Sequence, residues 1–183
     1  YVASTRGWQA TGCEPNKWMC QWGREHYGVD LRPGTLPEQG FADGTFDVVT
    51  LWDVVEHDGH PSRLVRECHR VLKPGGLFVV KYPDVGSWIA RLMGRTWPFY
   101  LSGHLYYFTR TTARELLTRG GFDILEVRPH YQWLELDYLL LRAEVVIGGV
   151  LSGLLRRAVR GVGLGRTQVP YWIGQTFVLA RRR

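Results

Sequence analysis

A few positions in this sequence hold side chains able to do acid–base, hydroxyl-binding or anion chemistry. Glu14 closes the run 7–14, just ahead of Pro15. Read as a strand ending in an acid before a helix, it sets a carboxylate where an open α/β sheet faces its ligand crevice. A carboxylate there can hold both hydroxyls of a ribose; equally, it can serve as a charge at a helix N-terminus. Residues 46–52 run into Trp52, Asp53, Glu56 and His57. His57 titrates in the range useful to a general base and can also open a helix as a hydrogen bonder. His104 lies in an aromatic stretch, residues 97–109, able to wall a planar or apolar acceptor or simply to pack a loop. Tyr82 and Asp84 follow a second apolar run and face the same crevice on topology alone. His26, His60, His69 and His130 belong to no His/Cys/carboxylate cluster of metal-ligand type, so no metal centre is expected.

These positions need a frame, and the hydrophobic pattern supplies one. Residues 7–14, 29–32, 46–52, 77–82, 122–127 and 175–180 read as strands, the third and fourth as apolar runs buried on both faces. Between them, residues 16–27, 61–72 and 111–119 read as helices. The second of these presents Leu64, Val65, Cys68, Val71 and Leu72 on one face. Lys73-Pro74-Gly75-Gly76 stops it and turns the chain. Strands alternating with helices argue for a Rossmann-like, doubly wound α/β fold with a mostly parallel sheet, in one domain over residues 1–183. Residues 134–155 are strongly apolar yet carry Glu135, Asp137, Arg142 and Glu144, and read as one helix, packed as a lid or lying on a membrane.

Composition bounds the function classes. With 183 residues, 45% hydrophobic and 13% aromatic, the chain can fill a core, which excludes disorder as its main state. Its net charge of +6 is mostly arginine, concentrated at Arg156, Arg157, Arg160, Arg166 and 181–183. Such a cluster reads first as a solvated face and secondly as a contact for an anionic surface. Cys13, Cys20 and Cys68 lack metal-type spacing and read as reduced, buried thiols, hence a cytoplasmic location with membrane association through 134–160 as the variant.

Three strings, Gly12-Cys13-Glu14-Pro15, Phe46-Asp47-Val48-Val49-Thr50-Leu51-Trp52-Asp53-Val54-Val55-Glu56-His57 and Arg70-Val71-Leu72-Lys73-Pro74-Gly75-Gly76, together resemble the class I S-adenosylmethionine-dependent methyltransferases. They are most similar to the branch that includes ubiquinone-biosynthesis O-methyltransferases. The resemblance covers about residues 1–127 plus the last strand, with acceptor-side insertions at about 83–110 and 130–170. It implies a seven-stranded sheet with one antiparallel strand near its edge, S-adenosyl-L-methionine as cofactor, and a small-molecule acceptor methylated at oxygen or carbon: lipophilic, quinone-like or a sugar. It implies no nucleic acid partner. By the same resemblance Glu14 would bind the ribose hydroxyls and Thr35 and Leu36 would edge the adenine. Leu51, Trp52 and Asp53 would line the methionine side, while His57 and His104 would serve the acceptor as catalytic residues.

The family's Gly-rich turn after an upstream strand has no counterpart in residues 1–6, so an N-terminally truncated domain with its first strand missing is expected. That strand would sit between those ending at Glu14 and Trp52. The chain by itself is then expected to be inactive and to bind the cofactor poorly or not at all. A non-catalytic methyltransferase-like scaffold and a peripheral membrane-associated protein stand as alternatives.

Overall fold

The computed structural model describes residues 1–183, apart from the side chains of Val145 and Val146. A short helix α1 (Val2–Thr5) leads to β1 (Thr11–Glu14), α2 (Lys17–Tyr27) and β2 (Asp30–Pro33). A 3-10 turn (Leu36–Gln39) then leads into β3 (Phe46–Trp52), α3 (Pro61–Val71) and β4 (Leu72–Pro83). The second half holds α4 (Trp88–Met93), α5 (Arg110–Arg119), β5 (Phe122–Pro129) and β6 (Gln132–Glu135). Next come α6 (Leu136–Arg142), α7 (Glu144–Ile147), α8 (Gly149–Gly161), β7 (Gln168–Tyr171) and β8 (Gln175–Arg182).

The strands form three ladders, where the resembled family as a whole implies one seven-stranded sheet. β1 and β2 pair in parallel, and β3-β4-β8-β5 form a four-stranded sheet. In the latter β3 and β4 are parallel while β8 runs antiparallel to β4 and β5, so the expected antiparallel strand is one place in from the edge. β1 pairs only with β2, and β3 only with β4, among the described residues. The third ladder, β6 with β7, is an antiparallel pair not expected from sequence.

Local chemistry explains most boundaries. Asn16 accepts from the Trp18 and Met19 amides at 3.0 and 3.2 Å and caps α2, so the helix starts after Pro15 rather than at it. Its large apolar residues do not all face inward. Trp18, Met19 and Tyr27 are exposed, whereas Cys20 and Gly23 are buried, because α2 packs on the narrow β1–β2 ladder, where Leu31 fills the space a Gly23 side chain would need. In α3 the expected face holds: Pro61 occupies the first turn, and Leu64, Val65, Cys68 and Val71 are buried. The Lys73–Gly76 turn lies inside β4 as an irregularity of register, since Leu72 pairs Phe46 while Leu77 pairs Val48.

Residues 134–155 are corrected as well. They comprise the end of β6, α6, α7 and the first half of α8, broken at Gly148 (φ 82°). The Ser152 hydroxyl donates to the Leu140 carbonyl at 2.6 Å and folds α8 back onto α6. No helix among the described residues is long and apolar enough to cross a membrane. The core lies between the four-stranded sheet and helices α3 and α5, centred on Phe78, whose ring stacks on Phe122 at 4.6 Å. Of the three free thiols Cys20 and Cys68 are buried, but Cys13 is only half-buried.

Candidate functional site

The carboxyl end of β3 carries the densest chemistry. Asp53 has φ 51°, the one positive value among the described non-glycine residues, a conformation that aspartate tolerates better than most and that costs on the order of 1 kcal/mol. Two contacts hold it. Its amide donates to the Lys81 carbonyl at 3.0 Å, and its carboxylate is ion-paired with the Lys81 ammonium, itself only 3% exposed. The strained residue turns the chain out of β3 so that Glu56 and His57 fall beneath the 99–107 loop.

That loop is tied back through the backbone. The Glu56 carbonyl accepts from the Leu105 and Tyr106 amides at 2.9 and 3.1 Å, and Tyr106 donates its hydroxyl to the Gly59 carbonyl at 3.1 Å. Nδ1 of His57 lies 2.8 Å from the Gly103 carbonyl, so it carries the proton and leaves Nε2 as an acceptor. The rings of His57 and His104 meet edge to face at 4.6 Å.

Glu56 is the unusual member. Its side chain is 1% exposed, and neither carboxylate oxygen has a hydrogen-bond partner. Burial, with a smaller contribution from the Asp53 carboxylate, pushes its pKa up to about 7. Nδ1 of His104 is also buried without a partner. Burial, then the neighbouring His57, lowers the His104 pKa. Among the described residues, one atom each of Glu56, His57 and His104 lies within 4.8 Å of the others. The absence of any metal-type spacing in sequence therefore did not reveal this grouping.

The expected site residues divide accordingly. Asp53, His57 and His104 come together, while Trp52 beside them is half exposed, against His130 (5.6 Å) and Phe177 (6.4 Å). Leu51 points into the core and is 7% exposed, so it does not line an open cleft. Leu36 likewise packs against that core. Thr35 caps the 3-10 turn, its amide and hydroxyl donating to Glu38 at 2.6 and 2.8 Å. Glu14 closes β1, and its Oε1 accepts from the Asn16 amide at 2.8 Å. No ion pair or side-chain hydrogen bond links Glu14, Thr35 or Leu36 to the Asp53 cluster among the described residues. Asp84 is buried and fully used, by the Gly86 amide, the Thr176 hydroxyl and the Arg110 guanidinium, so it braces β4 rather than facing a ligand. Sequence reasoning gives Glu56 a place beside Asp53 and His57 but no role, and it passes over Lys81, although a lone lysine in an apolar strand is a usable signal.

Comparison with known proteins decides the family. A model of the methyltransferase domain family matches residues 2–127. The chain belongs to the methyltransferase domain family. A protein of Mycolicibacterium smegmatis named as a probable S-adenosylmethionine-dependent methyltransferase is 36% identical over 131 residues, covering 72% of this chain and 48% of that protein. This chain thus spans about half the length of that relative. A ubiquinone biosynthesis O-methyltransferase of Caulobacter sp. is 44% identical over 54 residues, 28% of this chain and 21% of that protein.

Solved structures agree on the fold of this methyltransferase domain. An S-adenosylmethionine-dependent methyltransferase of Thermotoga maritima, a possible histamine N-methyltransferase, aligns with TM-score 0.64 at 18% identity, over 99% of this chain and 76% of that one. The cyclase SpnF aligns with TM-score 0.61 at 20% identity, over 99% and 68%. At such identities the likeness speaks for the class I Rossmann-like fold alone, and the site must carry the function.

The family cofactor can be tested against the residues present. Glu14 engages one oxygen with a backbone amide, and a carboxylate has about four lone-pair sites, so capacity for a hydroxyl pair remains. Asp53 keeps a buried, unpartnered Oδ1 at the strand end. Each carboxylate by itself has capacity for a polar ligand at the carboxyl end of its strand.

Proposed function

We propose that the protein of which this chain is part transfers a methyl group from S-adenosyl-L-methionine to oxygen or carbon of a hydroxylated, planar small molecule. The observation that carries this reading is the Glu56–His57–His104 grouping beneath an aromatic loop, with the Asp53 carboxylate near Glu56, in a chain of the methyltransferase domain family. When bound, the cofactor supplies an activated methyl on a sulfonium, so the protein's task is alignment and exclusion of water.

Glu14 holds the ribose hydroxyls and Thr35 and Leu36 border the base, Leu36 through its position rather than an open face. Asp53 and Trp52 border the methionine portion, with Leu51 supporting them from the core. His57 and His104 stand at the acceptor oxygen. Half-exposed Tyr100, Tyr106 and Tyr107 beside them support a planar acceptor. A quinone-like acceptor and an oxygen or carbon target are the finer forms of the same proposal, and a sugar is the alternative acceptor.

Labelled-methyl transfer by the full-length protein onto a panel of phenols, catechols and sugars tests it. Glu14→Ala should raise the KM for S-adenosylmethionine at least about tenfold, as expected for losing hydrogen bonds to a charged group. Neither transfer to any acceptor nor binding of S-adenosylhomocysteine by the full-length protein would overturn the reading.

Membrane contact through 134–160 has narrower support than the sequence suggested. Arg156 and Arg160 are both engaged by Asp137, leaving exposed Val150, Leu151 and Leu154 as the apolar contact. Co-sedimentation with anionic vesicles that is lost on Val150→Asp and Leu154→Asp would support it, and no co-sedimentation at low salt would remove it.

A further inference from the structure

We propose that Gln175 and the aromatic residues around it form a second acceptor subsite, which takes a ring bearing a hydroxyl or amino group. The inference rests on the methyl-transfer reading and specifies the acceptor as a molecule of two linked rings. Its starting point is a buried side chain that the fold leaves unused. Gln175 is 3% exposed, and its Oε1 is buried without a hydrogen-bond partner in the protein. Buried polar atoms nearly always find a partner, and one left unmet costs stability.

The backbone beside it is fully engaged. The Ile173 carbonyl accepts from the Trp97 indole at 2.8 Å, and the Gly174 carbonyl from the Asp84 amide at 2.7 Å. The Gln175 carbonyl accepts twice, from the Trp172 indole at 2.8 Å and the His130 amide at 3.0 Å. Gly174 has φ 93° and passes so close to Ser87 that a Cβ would lie 2.5 Å from its Oγ. The Gln175 amide is therefore carried on a rigid support, as a recognition group needs to be.

Register puts this amide at the acceptor end of the sheet. Gln175 opposes Pro83 and Phe177 opposes Lys81 across β4 and β8, so Gln175, Phe177 and Lys81 share one face. On that face the Phe177 ring lies 6.4 Å from Trp52 and 6.5 Å from His130. A further set of rings surrounds the start of β8. Trp172 lies 5.8 Å from Trp88 and 6.4 Å from Tyr131, and the latter two are 65% and 56% exposed. These rings come from α4 and from the links that flank the β6–β7 pair, not from the 99–107 loop. Ring faces beside one unmet acceptor atom suit a planar or pyranose ring that stacks while donating a hydrogen bond. Reaching a buried oxygen calls for side-chain movement, which is common on binding, and Trp88 and Tyr131 have the exposure to provide it. The tyrosines of the 99–107 loop take the reacting ring, and this second set takes the ring attached to it.

The test uses the full-length protein with catechol, a phenylcatechol, a hydroxyphenylcatechol and a catechol glucoside. Binding is read by tryptophan fluorescence, and methyl transfer by labelled methyl. Phenylcatechol should bind more tightly than catechol, and hydroxyphenylcatechol about three- to tenfold more tightly than phenylcatechol, the range of one hydrogen bond. Gln175→Met should abolish that hydroxyl advantage and melt at or above the wild-type Tm, since the buried oxygen has no partner to lose. Trp88→Ala should lose the advantage of the second ring, whereas Leu92→Ala, exposed on the same helix, should keep it. Tighter binding of the glucoside than of hydroxyphenylcatechol assigns the second ring as a sugar, and the reverse order assigns it as an aryl group. Equal binding of the phenyl and hydroxyphenyl probes by the wild type would overturn the proposal. So would a Gln175→Met variant that melts lower and keeps the hydroxyl advantage, the signature of a purely structural side chain. Binding is read without turnover, so absent methyl transfer with the hydroxyl advantage retained would count against the methyl-transfer reading alone.

Discussion

Two charged clusters of this molecule use similar side chains and finish them differently. At Asp137, Arg156 and Arg160 both reach the carboxylate with paired hydrogen bonds, at 3.2 Å and 2.7 Å respectively, and the acid is left with few unmet acceptors. At the end of β3, Asp53 has one neutralising lysine, and Glu56 and His104 have buried atoms with no partner. The first cluster is saturated, with its arginines reaching water, which is how a carboxylate ties α6 to α8. The second keeps Lys81, Glu56 and His104 buried while Asp53 and His57 reach solvent, and its unmet atoms are where the proposed ligand would bind.

Removing Lys81 should show the contrast most strongly. Lys81→Met strips the buried cation from Asp53 and leaves two carboxylates facing each other, an expected loss of about 3 kcal/mol in urea unfolding. The matching change at the other cluster, Asp137→Asn, should cost no more than about 1 kcal/mol, because its arginines reach water. If both cost the same, the distinction between a buried and a solvated cation fails.

Glu56→Gln sharpens the point in the opposite direction. It removes a charge that has no partner to lose, so the protein should keep its Tm or gain a little. A drop of several degrees would mean that Glu56 has a structural partner.

The smallest effect belongs to a histidine outside both clusters. Burial, then Arg182 and Arg183, hold the His69 pKa below its usual 6.5. The folded state therefore binds this proton less readily than the unfolded chain. Stability from His69 is whole above pH 6.5 and falls as pH drops from there toward the folded pKa. His69→Gln should flatten that part of a stability-versus-pH curve, and an unchanged curve would remove His69 as its cause.

How much of this was legible in sequence follows from range. β3 and α3 could be read because their signals are local: an apolar run of seven residues, and a 3.6-residue stripe closed by Pro61 and Gly75. The β6–β7 pair could not, since Gln132 meets Tyr171 across three intervening helices. The expected helix over 134–155 misled because its apolar content carries no trace of the turn at Gly148.

The site repeats the lesson. Asp53 and His57 share one turn and were legible there, whereas Glu56 meets His104 only because Leu105 and Tyr106 bond to its carbonyl. Leu36 and Leu51 were placed near a ligand by resemblance, and the core claims their side chains.

The most direct test of the account is calorimetric titration of S-adenosylhomocysteine into the full-length protein, comparing Asp53→Asn with Asp137→Asn, both verified as folded by circular dichroism. The account predicts at least about tenfold weaker binding for Asp53→Asn and wild-type affinity for Asp137→Asn. Equal affinity in the two variants, or a loss confined to Asp137→Asn, would contradict it.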